Sequence, residues 1–303
     1  MCCRRAGGLA AVIAELSAMK KRVYFSALMF FLVGCGASDE GPKNEPSASA
    51  ESISAAQAPD SQAIEKVDEI FRMTPAMHDA VEKEIARCLD AQGLRWEARP
   101  YQARSVRSLA SPTELSLEDA RVRGYDARTN PEEAGGLPPG KDQRVNAAFA
   151  GDPEKGTVSV EGIPGGVAKE GCLATAYEKV FGSVESGVLF EGGAENLPLP
   201  YVNAALDGDS MRKLNDEWSG CMKRDEMLDY ATPDLIHQPT KKPDIATAVA
   251  DAKCREKVDY ESRLRTQLNA YLTTFLNEKQ GLIVQASDAK KAAESKVSEI
   301  LGQ

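Results

Sequence analysis

The sequence predicts a mainly α protein: a disulfide-stapled helical domain with long irregular loops, set behind a lipidated flexible tether. Three observations predict it. Past residue 74, apolar residues recur at helical spacing between cap residues and glycine stops. The same region carries an even number of well-separated cysteines. Ahead of it stand a secretory signal and a polar stretch.

The signal occupies residues 1–34. Lys20, Lys21 and Arg22 form its charged region, Val23 to Val33 its apolar run, and Gly34 its small residue before Cys35. That run is too short to span a bilayer comfortably. Leu32-Val33-Gly34-Cys35 resembles a bacterial lipobox, so Cys35 is expected to be diacylated and to become the new N-terminus. A complete signal already begins at Met19, which makes Met19 the expected translation start. Removing residues 1–34 takes away five basic groups and one acid, so the net charge moves from -9 to -13. A chain this acidic, with a pI near 5.0, is a poor fit to nucleic acid.

Residues 35–62 read as the tether. They are rich in Ser, Ala, Pro and Glu and cannot bury enough surface to offset their ordering entropy. A coil of that length reaches roughly 30 Å.

The helical domain is expected over 63–303, as two helix-pair units at 63–190 and 200–303. Thr74-Pro75 starts a helix whose apolar face is Met77, Val81, Ile85, Cys88 and Leu89, closed by Gly93. Ser116 with Asp119 forms a capping box for a short helix ending at Gly124. Pro131 to Gly171 reads as loop, with an isolated strand at Thr157 to Val160. Helix resumes at Cys172 and stops at Gly182, and Ser210 is expected to cap a longer helix bearing Leu214, Trp218, Cys221 and Met222. From Pro243 to Leu301 the pattern is helical throughout, with a break near Val258 to Glu261 where the apolar phase slips. Val81, Ile85, Cys88 and Leu89 share their spacing with Leu214, Trp218, Cys221 and Met222, a weak internal echo.

Apart from Cys2, Cys3 and Cys35, the cysteines are Cys88, Cys172, Cys221 and Cys254. No close pair offers metal-ligand spacing, and an even set in an exported chain points to disulfides. Spacing leaves all three pairings open.

At these helices the chain resembles a family of uncharacterised secreted lipoproteins of actinobacteria. The residues that carry the likeness are Cys88-Leu89, Gly165-Gly166 with Gly171-Cys172, Trp218-Ser219-Gly220-Cys221-Met222, and Asp251-Ala252-Lys253-Cys254-Arg255. Arg123-Gly124-Tyr125 matches a further element in altered order, and the insertion Val167 to Glu170 departs from the pattern. The resemblance implies an anchored, mainly helical surface protein and brings no activity with it. Its two blocks, each with a helix-borne cysteine pair, imply Cys88 with Cys172 and Cys221 with Cys254.

Catalytic signals are weak. Gly135 to Lys141 approximates a phosphate loop, but Asp142 replaces the required Ser or Thr and two prolines remove amide donors. Asp207-Gly208-Asp209 lacks the later ligands of a calcium loop. Carboxylate pairs such as Glu82/Glu84 and Glu132/Glu133 are expected to form a solvated acidic face, and His78 and His237 to be surface groups near helix starts. No GxSxG or HExxH occurs. A transporter-type binding fold would need βαβ alternation, which is missing. The expected function is a non-catalytic lipoprotein on the extracytoplasmic face of the cell membrane, without cofactor or metal. It would bind an envelope protein or a cell-wall component. The alternatives are a cell-wall-directed or extracellular hydrolase using carboxylates, and a lipoprotein that captures a small ligand.

Overall fold

A computed structural model describes residues 53–109, 115–125, 142–233, 236 and 244–302. Residues 1–34, Cys35 and the tether as far as residue 52 lie outside them. The last residues assigned to the tether do not behave as one. Ala56 N–H donates to the Ala270 carbonyl at 3.1 Å, Asp60 N–H to Thr273 Oγ1 at 2.9 Å, and Thr274 Oγ1 to the Ser54 carbonyl at 2.8 Å. Ile53, the one large apolar residue between Gly36 and Gln62, packs against the core. The packed body therefore begins ahead of the expected boundary at 63. Main-chain hydrogen bonds to two threonines hold a segment that its composition cannot bury.

The first helix, α1 (Ala63–Phe71), buries Ile64, Val67 and Phe71. α2 (Pro75–Asp90) follows from Thr74, whose hydroxyl accepts from Met77 N–H as the cap motif requires. α3 (Leu117–Arg123) carries the expected capping box, with Asp119 N–H donating to Ser116 Oγ at 3.0 Å. The stretch expected to be loop holds more structure. α4 (Gln143–Ala150) starts from Asp142, and β1 (Thr157–Val158) pairs antiparallel with β2 (Val167–Ala168). Gly151, at φ 75°, ends α4 where the chain crosses itself ahead of Cys172. A side-chain carbon there would fall 1.4 Å from the Glu170 carbonyl oxygen.

α5 (Cys172–Phe181) lies along α2, and α6 (Val184–Asn196) lies against α5. At Gly187 the two helices come so close that a side-chain carbon would sit 2.0 Å from the Tyr177 ring. α7 (Leu199–Leu206) leads to α8 (Asp209–Asp225), capped by Gly208, so Ser210 falls inside its first turn. α9 (Ile245–Lys257) packs on α8 and on α3.

The expected break near Val258 to Glu261 is present: Asp259 turns left-handed at φ 51° and α10 (Tyr260–Glu278) begins. A second break at Lys279, with no proline beside it, starts α11 (Gln280–Leu301). α11 folds back onto α2 and α5, and α10 onto α1 and α7. The C-terminal helices thus complete the N-terminal core, and one apolar cluster runs from Ala63 to Val297. The stapled helix pairs exist, but the packing does not divide near residues 190–200.

Candidate functional site

Both cysteine pairs form as the resemblance implies. Cys88 on α2 joins Cys172 on α5 with Cα atoms 5.5 Å apart, and Cys221 on α8 joins Cys254 on α9 at 5.7 Å. Each stapled pair also buries a carboxylate that accepts from a tryptophan and an arginine.

In the C-terminal pair that carboxylate is Asp251, one helical turn before Cys254, facing Trp218 one turn before Cys221. Trp218 Nε1 donates to Asp251 Oδ1 at 3.1 Å, and Arg255 Nε donates to the same oxygen at 2.7 Å. The Tyr125 hydroxyl donates to Oδ2 at 3.1 Å. Arg255 also reaches Glu261 at 2.9 Å and lies 5.2 Å from the Tyr260 ring centre. Burial opposes the Arg255 charge, but Asp251 and then Glu261 outweigh it and hold its pKa above the ordinary arginine value. The ion pair at its centre is shut away from solvent: Asp251 is 0% and Arg255 5% exposed, with Tyr125 and Glu261 half-buried at the rim. The Trp-Ser-x-Cys-Met and Asp-x-x-Cys-Arg runs, with Tyr125, are therefore one structural unit.

In the N-terminal pair the carboxylate is Glu82, and it fastens a strap. Trp96 Nε1 donates to Glu82 Oε2 at 2.7 Å, Arg99 N–H to the same oxygen at 3.0 Å, and Arg99 Nε to Oε1 at 2.7 Å. Trp96 stacks on Phe149 of α4 with centroids 4.9 Å apart. Asp68 on α1 fastens the strap's other end, accepting from Ser105 Oγ at 2.5 Å and Val106 N–H at 2.8 Å. Between these anchors the chain forms no helix or strand, and the Tyr101 hydroxyl donates to the Met73 carbonyl at 2.9 Å.

Beside the strap, against the end of α1, the first turn of α2 and the face of α6, lies a cleft of about 350 Å³. Met73, Phe190 and Ala194 give it apolar walls. Three arginines line it. Arg99 is neutralised by Glu82, and Arg104 pairs with Glu195 at 2.9 Å and Glu191 at 3.8 Å. Arg72 is different: its half-buried guanidinium has no ion pair or hydrogen bond among the described residues. Its charge is felt nearby. Burial pushes the Tyr101 hydroxyl up while Arg72 pulls it down. Burial likewise pushes Lys290 down, opposed by Glu294 and reinforced by Arg72. Lys290 Nζ donates to the Glu69 carbonyl, and at 3.3 Å to the Arg72 carbonyl.

Two expectations need correction here. Glu82 and Glu84 are not a solvated face: they are 3% and 2% exposed, and Glu84 is held by Arg87 and, at 2.8 Å, by Lys179. Burial opposes ionisation of Glu84, yet Lys179 and Arg87 outweigh it and keep its pKa below the usual value. His78 does not stand on an open surface. Its side chain is 13% exposed and lines the cleft, edge-on to Tyr101 at 5.6 Å and with Nε2 3.9 Å from Glu82.

Other candidates do not join the cleft. Asp209 is engaged by Arg212 in the first turn of α8. Gly135 to Lys141, Glu132, Glu133 and His237 lie outside the described residues. Among the described residues, no group of three His, Cys, Asp or Glu side chains is placed to hold a metal ion. The cleft itself escaped the sequence reading. Its one signal was the basic stretch Arg95, Arg99, Arg104 and Arg107 inside an acidic chain. No family model, curated protein or solved structure matches this chain.

Proposed function

We propose that the protein is a non-catalytic envelope lipoprotein, held on the extracytoplasmic face of the membrane through diacylated Cys35. Its helical body binds an envelope protein or cell-wall component at the cleft beside the strap. The observation that carries the binding reading is Arg72, a half-buried cation without a partner among the described residues in a cleft with apolar walls. An unpaired charge costs free energy where it is partly desolvated, and an anionic ligand would recover it. Two disulfides and a buried polar cluster fit an exported body that presents a rigid surface. The signal and lipobox at residues 19–35 and the likeness to actinobacterial lipoproteins support the anchor. Among the described residues no helix is long and apolar enough to cross a membrane.

The test is photocrosslinking on intact cells. A photoreactive phenylalanine in place of Ala98, exposed on the cleft wall, should capture a discrete envelope component. The same probe at Met227, 85% exposed and far along the chain, should not. Equal capture from both positions, or none from Ala98, would contradict the reading. Cys35→Ala should release the protein from the membrane fraction, and retention would remove the anchor assignment.

A further inference from the structure

The ligand class follows from two features of the cleft, given that the cleft binds its partner as proposed above. The first is the charge balance. Of the three arginines in the lining, only Arg72 has a guanidinium without a partner among the described residues, while Glu97 and Glu191 remain in the lining. One free fork suits one carboxylate. A doubly charged phosphate would bring a second charge towards two glutamates with no further free cation to meet it. The apolar patch of Met73, Phe190 and Ala194 asks for an apolar group next to that carboxylate.

The second feature is the strap. Residues 97–101 belong to no helix or strand, and Ala98, Pro100 and Tyr101 exchange no main-chain hydrogen bond with any described residue. Backbone left unpaired but fixed by side-chain anchors at Glu82 and Asp68 is one to which an extended chain can add. A volume near 350 Å³ is at the small end for ligand sites, which run roughly 300–1,000 Å³, so the end of a chain fits better than a polymer lying across it.

We infer that the cleft captures the carboxyl-terminal end of an extended peptide, with Arg72 taking the terminal carboxylate, the apolar patch taking the last side chain, and the strap pairing with the peptide main chain. An envelope protein and a peptide of the wall polymer can both supply such an end, and the chirality of the last residue separates them.

The probes are two pools of fluorescent, N-acetylated tetrapeptides with an apolar last residue, one ending in L- and the other in D-amino acids. Each has a C-terminally amidated counterpart. The full chain in detergent is expected to bind at least one free-acid pool and to lose at least about tenfold in affinity on amidation. Arg72→Gln should lose binding to a similar degree and Arg72→Lys should lose part of it, while Arg121→Gln on exposed α3 should bind normally. Peptide mapping of both disulfides in each variant confirms that the fold is intact. Preference for the L pool points to a protein terminus, and preference for the D pool to a wall peptide. Equal binding of acid and amide pools, or wild-type binding by a folded Arg72→Gln, would overturn the inference. Binding of neither pool would also overturn it, and if Ala98 still captured a component in cells the broader reading would survive alone.

Discussion

The two stapled helix pairs use the same parts to different ends. In both, a disulfide joins two helices, and a buried carboxylate accepts from a tryptophan indole and an arginine. Around Asp251 every partner sits within or against the pair, and the cluster is sealed. Around Glu82 the tryptophan and arginine belong to a strap, and the neighbours His78, Tyr101 and Arg72 open into a cleft. The difference lies in where the arginine comes from. Arg255 sits one turn from Asp251 on the same helix and closes the cluster locally. Arg99 reaches Glu82 from 17 residues away and brings the strap with it. One arrangement stabilises, the other also builds a wall.

The largest expected effect is at the sealed cluster. Asp251→Ala would leave buried Arg255 with Glu261 as its one ion-pair partner among the described residues and orphan the Trp218 donor, costing about 3–5 kcal/mol. Denaturant titration should show this, and a loss below about 1 kcal/mol would mean the cluster is not what holds α8 to α9. Next come the bridges. Cys88 is half-buried while Cys221 and Cys254 are buried, so mild reductant followed by alkylation should open Cys88–Cys172 first. Loss of that bridge should cost roughly 2–4 kcal/mol. Opening of Cys221–Cys254 first would contradict the sealed description.

A smaller effect tests the packing under the cleft. Gly187→Ala places a carbon 2.0 Å from the Tyr177 ring and should cost about 1–3 kcal/mol, read as a lower Tm. The smallest is a pH effect at the N-terminal pair. Because Glu84 has a folded pKa below its ordinary 4.5, its pairing stabilises fully above that value and is lost as pH falls through the folded one. The stability gap between wild type and Glu84→Gln should therefore shrink below pH 4.5. A gap that widened there would reverse the sign.

Helices with one buried face were legible in the sequence: α2, α5 and α8 announce themselves by their stripes, α2 also by its Thr74 cap and α5 by its stop at Gly182. α6 did not, because Val184, Gly187, Leu189, Phe190, Gly192 and Ala194 are buried around most of its circumference and leave no stripe. α4 was hidden in a stretch that reads as turns, and the tail of the tether by composition alone. The phase slip revealed the turn at Asp259, whereas Lys279 breaks the helix without any residue that demands it. The cysteine blocks were visible, but the bond from Trp218 to Asp251 depends on how two helices face each other. The cleft was the least legible feature. Its walls come from residues 72–104 and 190–194, which only the packing of α6 against α1 brings together.

A division of labour follows from the proposed function: one stapled pair serves stability and the other also serves binding. It is tested most directly by measuring denaturation and cleft capture together in two variants, Asp251→Asn and Glu82→Gln, each carrying the photoreactive residue at Ala98. Asp251→Asn is expected to lose much of its stability while its folded fraction captures as wild type. Glu82→Gln is expected to lose less stability but most of its capture, because the strap's Trp96 and Arg99 anchors are weakened. Normal capture by Glu82→Gln, or loss of capture by folded Asp251→Asn, would contradict the division.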